Sequence, residues 1–289
     1  MLRAYLLLIG ISSLVISLAC EQPLALAGPF APAAGQPGST AISKSDPQIV
    51  AWATTFQQLI RGPQNISNPG LGLASVGNGA SALGPADGSS VVSLGDGGQI
   101  TLGFAAPIVN GPGTDFAVFE NGFASGGAEQ AFLELGFVEV SSDGVNFFPF
   151  PSVSLTPTTT QVGAFGLIDA TNLNDLAGKY VANNGTPFDL DELSNVSPLL
   201  DVNNVDFVRI IDVVGDIDPA FTTHDSQGNI VNDPWPTSGA SSGFDLDAVG
   251  VIHQVPEPAA WQLVVMGLAA FAAVRKFFIT PRQLVALVE

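Results

Sequence analysis

The apolar positions of this chain follow three patterns, and the commonest is strict alternation. In residues 99–104, Ile100, Leu102 and Phe104 are separated by polar or small residues, the period of a half-buried strand. Asp96-Gly97-Gly98 stands between that segment and the apolar Val91, Val92 and Leu94, which predicts a hairpin. A short strand is expected over 115–120, stopping at Asn121-Gly122. Another covers 132–141, with a phase slip at Phe137-Val138 that marks a bulge. Ser142-Asp143-Gly144 predicts a turn that returns the chain as a strand over 146–150. Residues 205–214, VDFVRIIDVV, are apolar on both faces, so this strand is expected to be central. In 244–252, Phe244, Leu246, Ala248, Gly250 and Ile252 share one face and Asp245 and Asp247 the other. Helical spacing is the second pattern. Asp46 can cap, Pro47 suits a first turn, and Ile49, Val50, Ala53, Phe56 and Ile60 recur at helical intervals before Gly62-Pro63. The weakly patterned 151–198 is expected to hold loops and a helix around 173–180. Together these elements predict an all-β fold, an antiparallel β-sandwich with one N-terminal helix.

The third pattern is the unbroken apolar run, and it occurs at both ends. Arg3, the apolar stretch 4–19 and the small-residue site Ala25-Leu26-Ala27 describe a secretory leader cut after Ala27. Ser17-Leu18-Ala19-Cys20 leaves a second reading open, in which Cys20 is lipidated. Residues 28–44, small and Pro-rich, are expected to be a flexible spacer before a domain over 45–254. Near the other end, the run 259–274 has 16 uncharged residues between two prolines and Arg275-Lys276. That is at the edge of the roughly 17 to 25 residues that span a bilayer. The basic pair predicts a cytoplasmic end, with a tail over 277–289 and the domain outside.

Val255-Pro256-Glu257-Pro258, the apolar run and Arg275-Lys276 resemble the PEP-CTERM sorting signal of bacterial envelope proteins. The resemblance implies recognition and cutting by an exosortase. Four segments are also similar to a bacterial cell-surface module found ahead of such tails: VSLGDGGQITL at 92–102, DFAVFENG at 115–122, VEVSSDG at 138–144 and GFDLDAV at 243–249. Their order resembles galactose-binding-type jelly rolls, which implies a sugar-binding or structural role.

Charge narrows the partners. Residues 28–254 hold 23 acidic and 4 basic side chains, a formal charge near −19. Such a surface repels nucleic acid and anionic lipid and leaves divalent cations or neutral polymers such as extracellular polysaccharide. Two histidines, and no cysteine once the leader is cut after Ala27, leave little for zinc, disulfides or His-based catalysis. Carboxylates and an amide at Glu120, Asn121, Asp216, Asp218, Asp245 and Asp247 are candidate Ca²⁺ ligands, because hard oxygen donors suit that ion. Asp216-Ile217-Asp218 is followed by Pro219-Ala220, so no EF-hand loop is present. Tyr180 and Trp235, in loop-rich stretches, are candidate stacking platforms for a sugar. Arg209 sits mid-strand and requires a carboxylate partner, which predicts a structural ion pair. These features point to a non-enzymatic surface protein that binds polysaccharide or calcium. A carbohydrate-active enzyme using paired carboxylates is the alternative.

Overall fold

Among the described residues, 27–255 of the computed structural model, seven strands of five or more residues carry the fold. They are β1 Thr55–Ile60, β2 Gln99–Ile108, β3 Phe116–Glu120, β4 Gly136–Ser141, β5 Asn184–Phe188, β6 Val205–Asp212 and β7 Asp245–Val251. The leader, Pro256-Glu257-Pro258, the apolar run and the basic pair lie outside the described residues; Val255 lies inside and is partly exposed. No helix among the described residues is long and apolar enough to cross a membrane.

The strands pair antiparallel in two main sheets. One runs Ile42–Ser43, β5, β3, β7, Ala51–Trp52, with Val92–Ser93 also on β7. The other runs Phe148–Pro149, β4, β6, β2, β1. β6 is central there, as its two-sided apolar character predicts. Its pattern is finer than continuous burial: Val208 and Ile210 are buried, whereas Phe207, Arg209 and Ile211 are half-covered on the outer side.

One core serves both sheets. Ile100, Leu102, Val208 and Ile210 from one sheet meet Phe116, Val118, Leu246 and Val249 from the other. Phe116 stacks on Phe188 at 5.3 Å, and Phe150 meets both rings edge-on. Each fully buried ring or aliphatic side chain contributes about 1.5–3 kcal/mol. A second cluster, with Leu133, Leu135, Ile168, Leu173, Leu176 and Val231, lies under the long loops.

The structure differs from the pattern-based expectations where the chain changes sheet. Residues 46–60 are not a helix. Ala51–Trp52 pairs in the first sheet and β1 in the second, with the buried Ala53 at the crossing. Thr54 and Thr55 favour extended backbone, and Val50, Phe56 and Ile60, which mimic a helical stripe, are exposed. Asp96-Gly97-Gly98 likewise joins two sheets rather than closing a hairpin, since Val92–Ser93 pairs with β7 and β2 with β6 and β1. The slip within 132–141 is a break, with Gln130–Phe132 in a small three-stranded sheet and Gly136 opening β4. Residues 173–180 form a short strand and turns.

In β7 the register shifts between Leu246 and Ala248, opposite Glu120 and Phe119. This bulge resets the alternation, so Phe244, Leu246, Val249 and Val251 enter the main core. Ala248 instead joins Ala117 and Phe119 in a separate cluster. Finally, 28–44 lies along the domain. Gly28 N donates to Thr171 Oγ1 at 2.6 Å, Ala33 N to Glu129 Oε2 at 2.7 Å, and Ile42–Ser43 pairs with β5.

Candidate functional site

A cavity of about 330 Å³ opens where loops from both sheets meet. Asn121 and Phe123 follow the end of β3, Phe132 closes the short strand Gln130–Phe132, and Glu134 precedes β4. Asp245 is the first residue of β7, and Phe165, Pro236, Thr237, Ser238 and Ser241 come from two long loops. Phe123 and Phe132 stack at 4.8 Å, and Phe165 stands 5.9 Å from Phe132. Phe165 is 79% exposed and Phe123 47%, so the cavity has an uncovered aromatic wall.

Its floor is acidic. Glu134 is 5% exposed and its Oε1 has no hydrogen-bond partner. Burial pushes its carboxyl well above the ordinary range, the negative neighbours Glu120 and Asp245 push it further, and Thr237 draws it down. Glu120 lies behind, fully buried. Its Oε2 accepts from Gly122 N at 2.6 Å while Oε1 is unpartnered. Burial raises it too. Asp245 is raised to about 6 by burial, against the opposing pull of Ser93, Asn121 and Arg61. Asn121 Nδ2 donates to Asp245 Oδ2 at 3.3 Å, and the Ser93 hydroxyl donates to its Oδ1. The backbone around Glu134 is equally constrained. Gly178 has φ +80°, and a Cβ there would stand 1.9 Å from the Glu134 carbonyl oxygen. Such a cavity can pack the C–H face of a ring against phenylalanine while carboxyls, hydroxyls and an amide address its substituents.

Trp235 is not the exposed platform that the sequence suggests. It is half-buried, and its Nε1 donates to Asp96 Oδ2 at 3.0 Å, the oxygen that also accepts from Ile66 N. Burial raises the Asp96 carboxyl. Trp235 thereby pins the loop whose next residues, Pro236 to Ser238, form the cavity rim. Tyr180 is 1% exposed and its hydroxyl pairs with Thr40 Oγ1 at 2.9 Å, so it is a core residue and cannot stack on a ligand. The aromatic wall consists of Phe123, Phe132 and Phe165, which the sequence reading passed over. A usable signal existed only for Phe165, a large apolar side chain between Ala164 and Gly166 with no periodic partner.

The six proposed calcium ligands do not converge. Glu120, Asn121 and Asp245 meet at the cavity floor. Asp247, at the bulge, instead accepts from the backbone N–H groups of Asp87 and Gly88 in a different cavity. Asp216 lies near Asp96 and accepts from Asp218 N at 2.9 Å, and Asp218 accepts from Ala220 N. Among the described residues, no group of three or more His, Cys, Asp or Glu side chains could hold a metal ion. The six residues thus fall in three separate places of the domain.

Arg209 has the carboxylate partner its position requires, on the outer face of the sheet. It lies directly across from Glu139 on β4, and its Nε donates to Glu139 Oε2 at 2.7 Å. A second guanidinium nitrogen bonds the same oxygen, and the group lies 3.8 Å from the Phe147 ring. The two side chains are 22% and 16% exposed, so the pair is shielded but not a buried core charge. No protein-family model matches the chain, and no curated protein matches it.

Proposed function

We propose that this chain is an exported envelope protein whose β-domain, a sandwich of jelly-roll type, binds saccharide chains at the phenylalanine-walled cavity. Export and tethering are supported by the leader with its Ala25 and Ala27 site and by the Val255-to-Lys276 sorting pattern. An exosortase-type enzyme is the processing partner that this pattern implies. The observation that carries the binding activity is the exposed Phe165 and Phe123 beside the buried polar floor of Glu134, Asn121 and Asp245. Aromatic faces with a few convergent polar groups suit a polyhydroxylated ring, and the acidic surface disfavours anionic polymers.

The test is retention on insoluble polysaccharides of the wild type against Phe165→Ala. Phe165 is almost free of packing, so the variant should melt within about 0.5 kcal/mol of wild type and lose retention. Equal retention of the two proteins would contradict the assignment.

One observation favours a second reading. Glu134 and Asp245 line the same cavity, Glu134 raised well above the ordinary range and Asp245 to about 6, so near neutral pH one carboxyl keeps its proton while the other ionises, the division of roles between a glycoside hydrolase's acid and its partner carboxylate. Release of reducing ends from a bound polysaccharide, abolished by Glu134→Gln, would select this reading over simple binding.

A further inference from the structure

We infer that the amino terminus created by removal of the leader is itself bound by the fold: Gly28, as an ammonium, seats on Thr171 and Asp169 and fixes the small sheet that carries the phenylalanine wall. The inference rests on the reading of 1–27 as a leader cut after Ala27. Gly28 N lies 2.6 Å from Thr171 Oγ1, and that hydroxyl donates to Asp169 Oδ1, also at 2.6 Å. One hydroxyl thus joins the nitrogen to a carboxylate. In the uncut chain this nitrogen is an amide, with one donor and no charge. Cutting after Ala27 turns it into an ammonium with three donors and a positive charge, and the neutral hydrogen bond becomes a charge-assisted one.

The seat also demands the residue that the cut exposes. A Cβ on Gly28 would stand 2.1 Å from the Thr171 carbonyl oxygen and 2.5 Å from Asn172 Oδ1, so a larger first residue has no room. The residues that follow are held along the same path. Phe30 N donates to the Thr171 carbonyl at 3.1 Å, and Ala33 N to Glu129 Oε2 at 2.7 Å. The charged side chains on the segments packed against 28–34 are Asp169, Glu129 and Lys179, and Lys179 Nζ is committed to the Leu173 carbonyl at 2.8 Å. The new ammonium therefore meets two carboxylates and one occupied cation.

Backbone pairing carries the seat to the cavity. Ile168–Asp169 pairs with Gln130–Phe132, which pairs in turn with Phe123–Ala124, and Ala170 N donates to the Glu129 carbonyl at 3.1 Å. Phe123 and Phe132, the stacked pair of the wall, thus belong to a three-stranded sheet whose outer strand runs directly into the seat. Phe165 precedes that same strand by three residues. Strands of two and three residues are marginal alone, so an anchored edge matters to them. Leader removal tightens the wall, and the exported form differs from its precursor at the binding site.

The experiment compares three forms of the chain, each ending at Glu289 and each released from a cleavable fusion in the same detergent. One begins at Gly28, one at Ala27, and one at residue 28 with Gly28→Ala. Ala27 is exposed, so in the second form the ammonium stands in solvent, one residue away from the seat. Near pH 7 the Gly28 form should melt about 2–4 °C above each of the others, the difference between a charge-assisted and a neutral hydrogen bond in a domain of this size. A seated ammonium stabilises below its unfolded value of about 8 and ceases to as pH rises through its folded value, so the lead over the Ala27 form should vanish by about pH 10. Lys179, which burial lowers to about 8, is common to all three forms and cancels. Hydrogen exchange over 130–132 and 168–170 should be slower in the Gly28 form. Equal melting of the Gly28 and Ala27 forms near pH 7 overturns the inference and leaves the leader reading standing. A lead that persists undiminished to about pH 10 also overturns it, since the extra residue and not the charge would then be the cause. Equal exchange over 130–132 overturns the link to the wall. A first residue other than Gly28 in the exported protein, read by mass spectrometry, overturns both the inference and the reading of the cut on which it rests.

Discussion

Asp245→Asn should reverse its effect on stability between acid and neutral pH. Burial raises the Asp245 carboxyl from near 4 to about 6. The folded state thus holds this proton more tightly than the unfolded state, and folding takes a proton up between those values. Stability from this group is greatest below about pH 4 and is lost as pH rises through about 6. At about 1.4 kcal/mol per tenfold change in proton affinity, the loss is about 3 kcal/mol. Asparagine has no proton to lose. It can still accept from the Ser93 hydroxyl, but its amide would face the Asn121 amide across the present 3.3 Å contact, at a cost of about 1 kcal/mol at every pH. The variant should therefore be about 1 kcal/mol less stable than wild type near pH 4 and about 2 kcal/mol more stable near pH 7. Urea unfolding at the two pH values measures this, with m held as a check that the unfolded state is unchanged. Asp212 and Asp233, also raised by burial, are common to both proteins and cancel. Glu120 and Glu134 lose a repulsive neighbour in the variant, which adds in the same direction. An identical stability difference at both pH values would mean that Asp245 holds its proton no more tightly in the folded state than in the unfolded one.

Arg209→Ala should destabilise by roughly 1–2 kcal/mol rather than the larger amount expected of a buried ion, because the pair with Glu139 is partly exposed and Phe147 supplies a cation–π contact. A thermal melt reads this, and the double variant with Glu139→Ala should cost less than the sum of the single changes. For sorting, the mass spectrum of the mature envelope form should begin at Gly28 and end near Pro256 to Pro258. A mature species that retains Arg282 would reduce the terminal segment to a plain anchor.

What could be read from the sequence divides along a physical line. Features set by neighbouring residues were visible. The Ser142-Asp143-Gly144 turn closes β4 onto Phe148–Pro149, and the apolar run at 205–212 occupies the middle of its sheet. Features set by the choice of sheet were not. Val50, Phe56 and Ile60 have helical spacing only because the chain crosses at Ala53, and the outcome depends on which backbone each flank finds to pair with. The bulge at Asp247 was hidden for the same reason: alternation within 244–248 is unbroken in sequence, and only the register with Glu120 and Phe119 breaks it. That bulge puts Asp245 in the phenylalanine-walled cavity and Asp247 in the one beside Asp87. The cavity was the least legible part, since its wall and floor come from five separate segments. Glu134, flanked by Leu133 and Leu135, reads as an ordinary outward acid of an alternating strand. The fold brings it beside Thr237, in the loop that follows the Trp235 contact with Asp96. Asn121 and Asp245, two of the six expected calcium ligands, line the cavity beside its aromatic wall.

Saccharide binding at the cavity is tested by mapping where a saccharide touches the protein. Amide and aromatic shifts of the labelled protein should be followed by NMR during titration with cello- and chitosan oligomers. Binding at the phenylalanine wall should concentrate perturbations at Asn121, Phe123, Phe132, Glu134, Phe165 and Thr237, with the β4–β6 face around Arg209 unchanged. Perturbations centred on that face, or on the Asp87–Asp247 cavity, with the phenylalanine wall silent, would contradict it.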